Sequence, residues 1–221
     1  MNRIWRENGL SIVLFVLFAA TLAAQSYAGL CEENDELEQH GQRPVTYVQY
    51  VSSGDFLEAV MENWESEFLQ MGVYVIFTVF LFQKGSSESK PLNDDDPVNR
   101  DPRRARNKQR VPWPVRKGGF VLRLYENSLS IAFFLLFAFS FALHAFGGAE
   151  SYNEEREVHG EPPVTVLAYA SSARFWFESF QNWQSEFLAI WAMVVLSIFL
   201  RQRGSPESKP VDAPHSQTAA E

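Results

Sequence analysis

The stretch LSIVLFVLFAATLAA, residues 10–24, decides the fold, because it contains no charged side chain and the sequence stays uncharged to Leu30. A second run, LSIAFFLLFAFSFALHAFGGA at residues 129–149, has His144 as its only ionisable side chain. A transmembrane helix needs about 20 predominantly apolar residues. Both runs meet that length, so the sequence predicts a membrane protein in spite of its net charge of −8.

Two shorter apolar runs, residues 68–82 and 187–200, follow the nearly identical heptapeptides NWESEFL and NWQSEFL. Tryptophan is favoured at the headgroup level of a bilayer, so Trp64 and Trp183 are predicted to act as interfacial anchors for helices that continue through these runs. The sequence therefore predicts an all-α membrane protein, a bundle of four transmembrane helices at about residues 10–30, 64–83, 129–149 and 183–202.

An internal repeat organises the chain, because a shift of 119 residues aligns the sequence with itself without a gap. Between positions 7 and 91, 39 of the 85 aligned residues are identical, which indicates a tandem duplication. Each copy is predicted to form one helical hairpin with a long loop between its helices. Because two crossings return the chain to its starting side, the pseudo-two-fold axis is predicted to run along the membrane normal.

A cleaved secretory signal is the competing interpretation of the first apolar run. Arg3 and Arg6 precede this run, and SYA at residues 26–28 resembles a small-residue cleavage site. The repeat favours a retained membrane helix, because the corresponding run at residues 129–149 is internal and cannot be a leader.

The repeat also sets the predicted boundaries of the chain. Residues 1–91 form the first hairpin and residues 119–210 the second. Residues 92–118, an acidic patch followed by a basic one, are predicted to be a disordered cytoplasmic linker, and residues 211–221 a disordered tail.

The distribution of basic residues predicts the orientation in the membrane. Of the 19 lysines and arginines, 16 lie near the N-terminus (Arg3 and Arg6), in the segment from Lys84 to Arg123, or near the C-terminus (Arg201, Arg203 and Lys209). The positive-inside rule then places both termini in the cytoplasm and the two acidic loops outside. The basic cluster from Arg100 to Lys117 is expected either to contact anionic lipid or to be a solvated linker, and no nucleic-acid partner is expected.

Residues shared by the two copies are the candidate functional residues. Glu67 and Glu186 correspond, as do Asn63 and Asn182, whereas Glu65 aligns with Gln184. Two carboxylates related by a pseudo-two-fold axis could bind a cation or proton, because an acidic group at the membrane boundary is costly to keep. The alternative is that these side chains make inter-helix contacts at the headgroup level.

Two other shared sets have weaker predicted roles. His40 and His159 are candidate metal ligands, because each follows a glutamate by two residues and imidazole and carboxylate suit transition metals. Neither histidine belongs to the Glu-x-x-His motif that metal-binding bundles place on their helices. Four residues before the first and third apolar runs are predicted to cap helices on the inner side: Glu7, Asn8, Glu126 and Asn127.

The sequence predicts no enzyme and no cofactor, because it lacks a nucleophile elbow, a zincin motif and a phosphate-binding loop. A hydrolase built on Glu67 and His40 is a competing hypothesis. Cys31 is the only cysteine, which excludes an intramolecular disulfide and a cysteine-based metal site. The favoured function is a structural or interaction role in the cell envelope. The alternative is a small transporter or channel component, for which four helices would require a homo-oligomer.

The pattern ENGLSI…HGxxPV…SSxxF…NWxSEFL…QxGSxESK resembles an uncharacterised family of small bacterial membrane proteins. The resemblance extends over nearly the whole chain and includes the duplication and the closing RQRGSPESKP. Because this family is known only as a domain of unknown function, the resemblance implies a location in a bacterial cytoplasmic membrane. It says nothing about activity.

Overall fold

The structure is a computed structural model that describes residues 3–92, 96–108 and 110–219, and these ranges contain helices and no strand. Two single-turn 3-10 helices, Pro97–Asn99 and Pro102–Ala105, lie in the central linker. The α-helices are α1 (Arg3–Gln39), α2 (Tyr47–Val51), α3 (Gly54–Phe80), α4 (Trp113–Lys117), α5 (Gly119–Glu126), α6 (Ser128–Val158), α7 (Val166–Ala170) and α8 (Ala173–Phe199).

Three helices, α1, α6 and α8, are long and apolar enough to cross a membrane. Only 6%, 17% and 6% of their respective apolar windows are buried, so these helices present apolar side chains outward. An outward-facing apolar helix of this length is stable in lipid, where its backbone groups are satisfied internally. The chain is therefore an all-helical membrane protein.

The prediction of four such helices is wrong in its count, because α3 does not meet the same criterion of length and composition among the described residues. Its first fourteen residues, GDFLEAVMENWESE, include five acidic side chains. The helix also ends at Phe80, so Leu81 and Phe82 of the predicted segment at residues 64–83 lie outside it. The apolar part of α3 is consequently too short to qualify by itself.

The chain divides into two compact units. Unit 1 contains Met1–Met61 and Leu143–Phe175, and unit 2 contains Glu62–Ala142 and Trp176–Glu221.

In unit 1, an asparagine fixes the loop that precedes each short helix. Asn34 accepts a hydrogen bond from the Val45 amide at 2.7 Å and donates one to the Val45 carbonyl at 3.2 Å. Thr46 then caps α2 with a capping box. Extended backbone at these positions would otherwise leave its amide and carbonyl unpaired, so the asparagine takes the place of a neighbouring strand.

The close approach of α3 to α6 holds unit 1 together. A Cβ on Gly54 would lie 2.7 Å from the Gly147 carbonyl oxygen and 2.7 Å from the Ser151 amide nitrogen. Both atoms belong to the backbone of α6, so only a glycine permits this separation. Small residues at a helix crossing allow backbone-to-backbone packing of the kind common in membrane proteins.

Unit 2 combines an aromatic cluster with two folded loops. Trp183 packs edge-on against Trp176 and Phe180, with ring centroids 6.2 and 5.5 Å apart. The loop that follows α3 is joined to α8 by a buried hydrogen bond between the Ser86 and Ser197 hydroxyls at 2.8 Å. The fully buried Lys209 ammonium donates to three backbone carbonyls of the C-terminal segment: Pro214, His215 and Gln217.

We expect Gly54→Ala to destabilise the protein by about 1–3 kcal/mol, because the added methyl group meets backbone atoms that cannot rotate away. The measurement is thermal unfolding followed by circular dichroism in detergent. Gly9→Ala is the matched control, since its Cβ would contact only the flexible Trp5 side chain at 3.3 Å. Equal melting temperatures for the two variants would contradict the close packing.

Candidate functional site

The predicted pair Glu67 and Glu186 differs in environment between its two members. Glu67 is exposed on α3, whereas Glu186 is half-buried on α8. Asn63 is exposed, and the Asn182 amide donates a hydrogen bond to the Glu62 carboxylate. The symmetric environment expected of a two-carboxylate site is therefore not present in unit 2, because only one of the two carboxylates is shielded.

Glu65 is the carboxylate that unit 2 buries, whereas the comparison of the two copies favours Glu67. It is 0% exposed, and it accepts a hydrogen bond from the Trp183 indole at 3.1 Å. Gln70, one turn further along α3, is also buried and donates to the Glu186 backbone carbonyl at 2.8 Å. The comparison between the copies does not single out Glu65, because its counterpart Gln184 is not acidic.

The two tryptophans predicted as interfacial anchors are both half-buried. Trp64 packs edge-on against Phe68, with ring centroids 6.4 Å apart. Trp183 belongs to the aromatic cluster and directs its indole N–H to Glu65. Trp183 is thus an internal hydrogen-bond donor in unit 2.

The predicted inner-side caps lie differently in the two copies: Glu7 and Asn8 are inside a helix, whereas Asn127 directly precedes α6. Glu7 and Asn8 are within α1, because that helix already begins at or before Arg3, and Glu7 pairs with Arg3 at 2.8 Å. Glu126 is the last residue of α5, and Asn127 separates α5 from α6. The Asn127 side chain donates to the Arg123 carbonyl at 2.8 Å, so it satisfies the end of α5.

The two histidines predicted as metal ligands line one cavity of unit 1, with a volume of about 470 Å³. Each is exposed, with its Nδ1 atom 2.9 Å (His40) or 2.8 Å (His159) from the carbonyl oxygen four residues earlier. Such a contact fixes a ring and directs Nε2 away from the helix. The cavity is also lined by five carboxylates and one arginine: Glu33, Glu36, Asp55, Glu154, Glu155 and Arg174.

This cavity carries an excess of negative charge. Five carboxylates line it together with a single guanidinium, that of Arg174, which pairs with Glu155. The field of the carboxylates reaches neighbouring groups: burial raises the pKa of the Tyr50 hydroxyl, and Asp55 and Glu33 raise that pKa further. An acidic concavity of this kind concentrates cations from solution.

A second polar cluster of unit 1 lies among buried aromatic rings. His144 and Tyr169 are 0% and 1% exposed, and the imidazole ring lies 4.7 Å from the ring of Phe175. The Tyr169 hydroxyl donates to the Glu58 carboxylate at 2.8 Å. Glu58 and His144 each place a potential metal-ligating atom within 4.8 Å of the other. Neither residue has an identical counterpart in the other copy, since Glu58 aligns with Phe177 and His144 with Gln25.

The comparison with family models matches residues 1–220 to a domain of unknown function, DUF6766. The chain belongs to this family. The expected resemblance to a family known only as a domain of unknown function is therefore confirmed, and this membership says nothing about activity. Neither curated proteins nor solved structures yield a match to the chain.

For this DUF6766 protein, we expect Glu65→Ala to lower the stability by about 1–3 kcal/mol, because it leaves the Trp183 indole N–H without this acceptor in a buried position. Glu67→Ala is the matched control, two residues away on the same helix and exposed, and should change the stability by less than about 0.5 kcal/mol. Thermal unfolding in detergent measures both. A larger effect of Glu67→Ala would reverse the ranking of the two carboxylates.

Proposed function

We propose that the chain is a non-enzymatic protein of the bacterial cytoplasmic membrane with a structural or interaction role in the cell envelope. The observation that carries the proposal is the inversion of polarity: apolar windows of α1, α6 and α8 face outward, while polar side chains are buried. Buried polar side chains that bond one another between helices stabilise a membrane bundle without providing chemistry.

Helix α1 offers the surface for such an interaction. Its side chains between residues 10 and 18 are almost all exposed, including Leu10 at 75% and Phe15 at 68%. A helix that is apolar around its whole circumference is stable only when lipid or another apolar helix surrounds it. This surface supports a homo-oligomer within the lipid bilayer.

The proposed duplication is supported by contacts that recur at a spacing of 119 residues. The Asn153 side chain accepts a hydrogen bond from the Val164 amide at 2.7 Å and donates one to the Val164 carbonyl at 3.0 Å, as the Asn34 side chain does with Val45. In the loops after α3 and α8, a serine hydroxyl accepts a hydrogen bond from the backbone N–H of a glutamine. The distance is 3.0 Å for Ser89 and Gln83 and 2.9 Å for Ser208 and Gln202. Identical residues that make identical bonds are expected when two copies descend from one hairpin.

Both termini are proposed to be cytoplasmic, which requires α3 to pass through the layer with the other helices. In unit 2, Gly72 of α3 faces Phe134 of α6, and Gln70 of α3 bonds to α8. A helix that is covered on these sides needs less apolar surface than one surrounded by lipid. α3 is thus proposed as a companion helix, whereas α1, α6 and α8 provide the apolar contact with the membrane.

The linker between the copies is proposed to contact anionic lipid. Arg100, Arg104 and Lys108 line one cavity of unit 2 together with the single carboxylate of Asp101. This local positive excess suits a phosphate headgroup, and each cation near an anionic surface contributes about 1 kcal/mol.

A second candidate function, cation or proton transfer, is favoured by buried groups of unit 2. Glu65 is fully buried, and the hydroxyl oxygens of Ser140 and Ser179 are buried without a hydrogen-bond partner among the described residues. Buried hydroxyls in this state favour an additional ligand. The candidate site therefore moves from the predicted pair Glu67 and Glu186 to the surroundings of Glu65.

Proteoliposomes with an imposed pH gradient distinguish these two functions. For the structural role we expect the gradient to decay at the rate of protein-free vesicles, in the wild type and in Glu65→Gln alike. A faster decay that Glu65→Gln abolishes and Glu67→Gln preserves would replace the structural role with proton transfer through Glu65.

Labelling of the exposed Cys31 tests the orientation. A membrane-impermeant maleimide should react with Cys31 in intact cells, because Cys31 lies toward the end of α1 that is proposed to face outward. In a Cys31→Ser background, Asn99→Cys should react only after permeabilisation. Reaction of both cysteines from outside would show that α3 does not cross, and protection of Cys31 would reverse the orientation.

A further inference from the structure

The approach of α3 to α6 brings two chemically distinct side chains together inside unit 1. A Cβ on Gly147 would lie 2.8 Å from the Glu58 backbone nitrogen, so α6 lies directly against the turn of α3 that carries Glu58. His144 is one turn before Gly147 and Gly148 on α6. The helix crossing therefore delivers a carboxylate and an imidazole to the same interior region.

The geometry of this region is defined on several sides. A Cβ on Gly148 would fall 2.7 Å from the Glu58 Oε1 atom and 2.5 Å from the Tyr169 hydroxyl oxygen, so the glycine makes room for both groups. Tyr169 donates to Glu58 Oε1, and Phe175 packs against His144. The carboxylate and the imidazole are consequently held by neighbours that leave them little freedom to rotate.

The first copy of the hairpin shows which part of this arrangement is needed for packing alone. There, Tyr50 packs against Gly29 and against Phe56 at 5.5 Å, as Tyr169 packs against Gly148 and against Phe175 at 5.7 Å. The residue that corresponds to His144 is Gln25. The tyrosine, glycine and phenylalanine thus form the shared scaffold, and the Glu58–His144 pair is an addition to it.

We infer that Glu58 and His144 are ligands of a buried site for one divalent transition-metal cation, with Tyr169 as the positioning residue. Zinc binds imidazole nitrogen at about 2.0–2.1 Å and carboxylate oxygen at about 2.0–2.2 Å, so two ligand atoms of one tetrahedral ion lie about 3.4 Å apart. The ligand atoms of Glu58 and His144 lie within 4.8 Å of one another. A mixed nitrogen and oxygen ligand set suits Zn²⁺, Mn²⁺, Fe²⁺ or Co²⁺.

Tyr169 supplies the outer support that metal-binding carboxylates usually have. Its hydroxyl donates to Oε1 at 2.8 Å, which orients the carboxylate. Loss of a supporting hydrogen bond of this kind weakens metal binding about 10–100-fold.

The acidic cavity provides an approach for the cation. Asp55 lines that cavity and precedes Glu58 by three residues on α3, and Ser151 lines it two turns after His144 on α6. Three residues correspond to about 4.5 Å along a helix. Cations concentrated by the carboxylates of the cavity thus arrive within one helical turn of Glu58.

Metal binding by the full-length protein in nanodiscs tests the inference. After equilibration with Co²⁺ and removal of free metal, we expect about one Co²⁺ per chain by mass spectrometry, with absorption bands in the visible range. His144→Gln, which introduces the residue of the first copy, should weaken Co²⁺ binding at least about 10-fold, as should Glu58→Gln and Tyr169→Phe. Thermal unfolding without metal monitors whether each variant is folded.

The double variant His40→Gln/His159→Gln is the matched control, because it removes two exposed imidazoles of the same unit. It should leave the stoichiometry and the visible spectrum of bound Co²⁺ unchanged. Absence of stoichiometric binding by the wild type would overturn the inference. So would loss of binding in the control with retention in any folded variant of Glu58, His144 or Tyr169, since the cavity histidines would then be the ligands.

Discussion

The contact between the backbones of α3 and α6 is the constraint on which unit 1 depends. Gly54 and Gly147 remove the side chains that normally keep two helices 8–10 Å apart. Once the helices approach this closely, the next turn of each must contain groups that fit together. Glu58 and His144 occupy those turns, and Tyr169 closes the region from a short helix whose position is set by its threonine cap. The close approach of α3 and α6 therefore determines both the packing of this unit and the positions of its polar groups.

Apolar surface and polar interior follow from the same medium. In water, the outward-facing phenylalanines and leucines of α1, α6 and α8 would be costly, whereas in lipid they cost nothing and the polar groups must be turned inward. Unit 2 follows this rule with Glu65, Gln70 and the indole of Trp183 bonded to partners within the unit. The acidic residues that made the composition resemble that of a soluble protein are concentrated at helix ends and in α3.

Periodicity and length predicted α1, α6 and the membrane setting correctly, because an uncharged run of about 20 residues has few other stable solutions. The count of membrane helices failed at α3, whose ability to enter the layer depends on what covers it and not on its own composition. The burial of Glu65 and the meeting of Glu58 with His144 were equally inaccessible. They depend on helix crossings between residues more than 80 positions apart, and the sequence contains no local signal for such crossings.

Comparison of the two copies identifies shared residues, and in this protein those residues build the scaffold. The hydrogen bonds of Asn34 and Asn153, the threonine caps and the tyrosine–glycine contacts recur in both proposed hairpins because each hairpin needs them to fold. Three shielded ionisable groups lie at positions where the copies differ: the half-buried Glu58 and the buried Glu65 and His144 align with Phe177, Gln184 and Gln25, whereas the buried Lys209 aligns with Lys90. A buried charge is costly, so its presence in one copy alone argues that it was added for a purpose that packing does not supply. If the chain arose by the proposed duplication, divergent buried positions are stronger candidates for function than identical exposed ones.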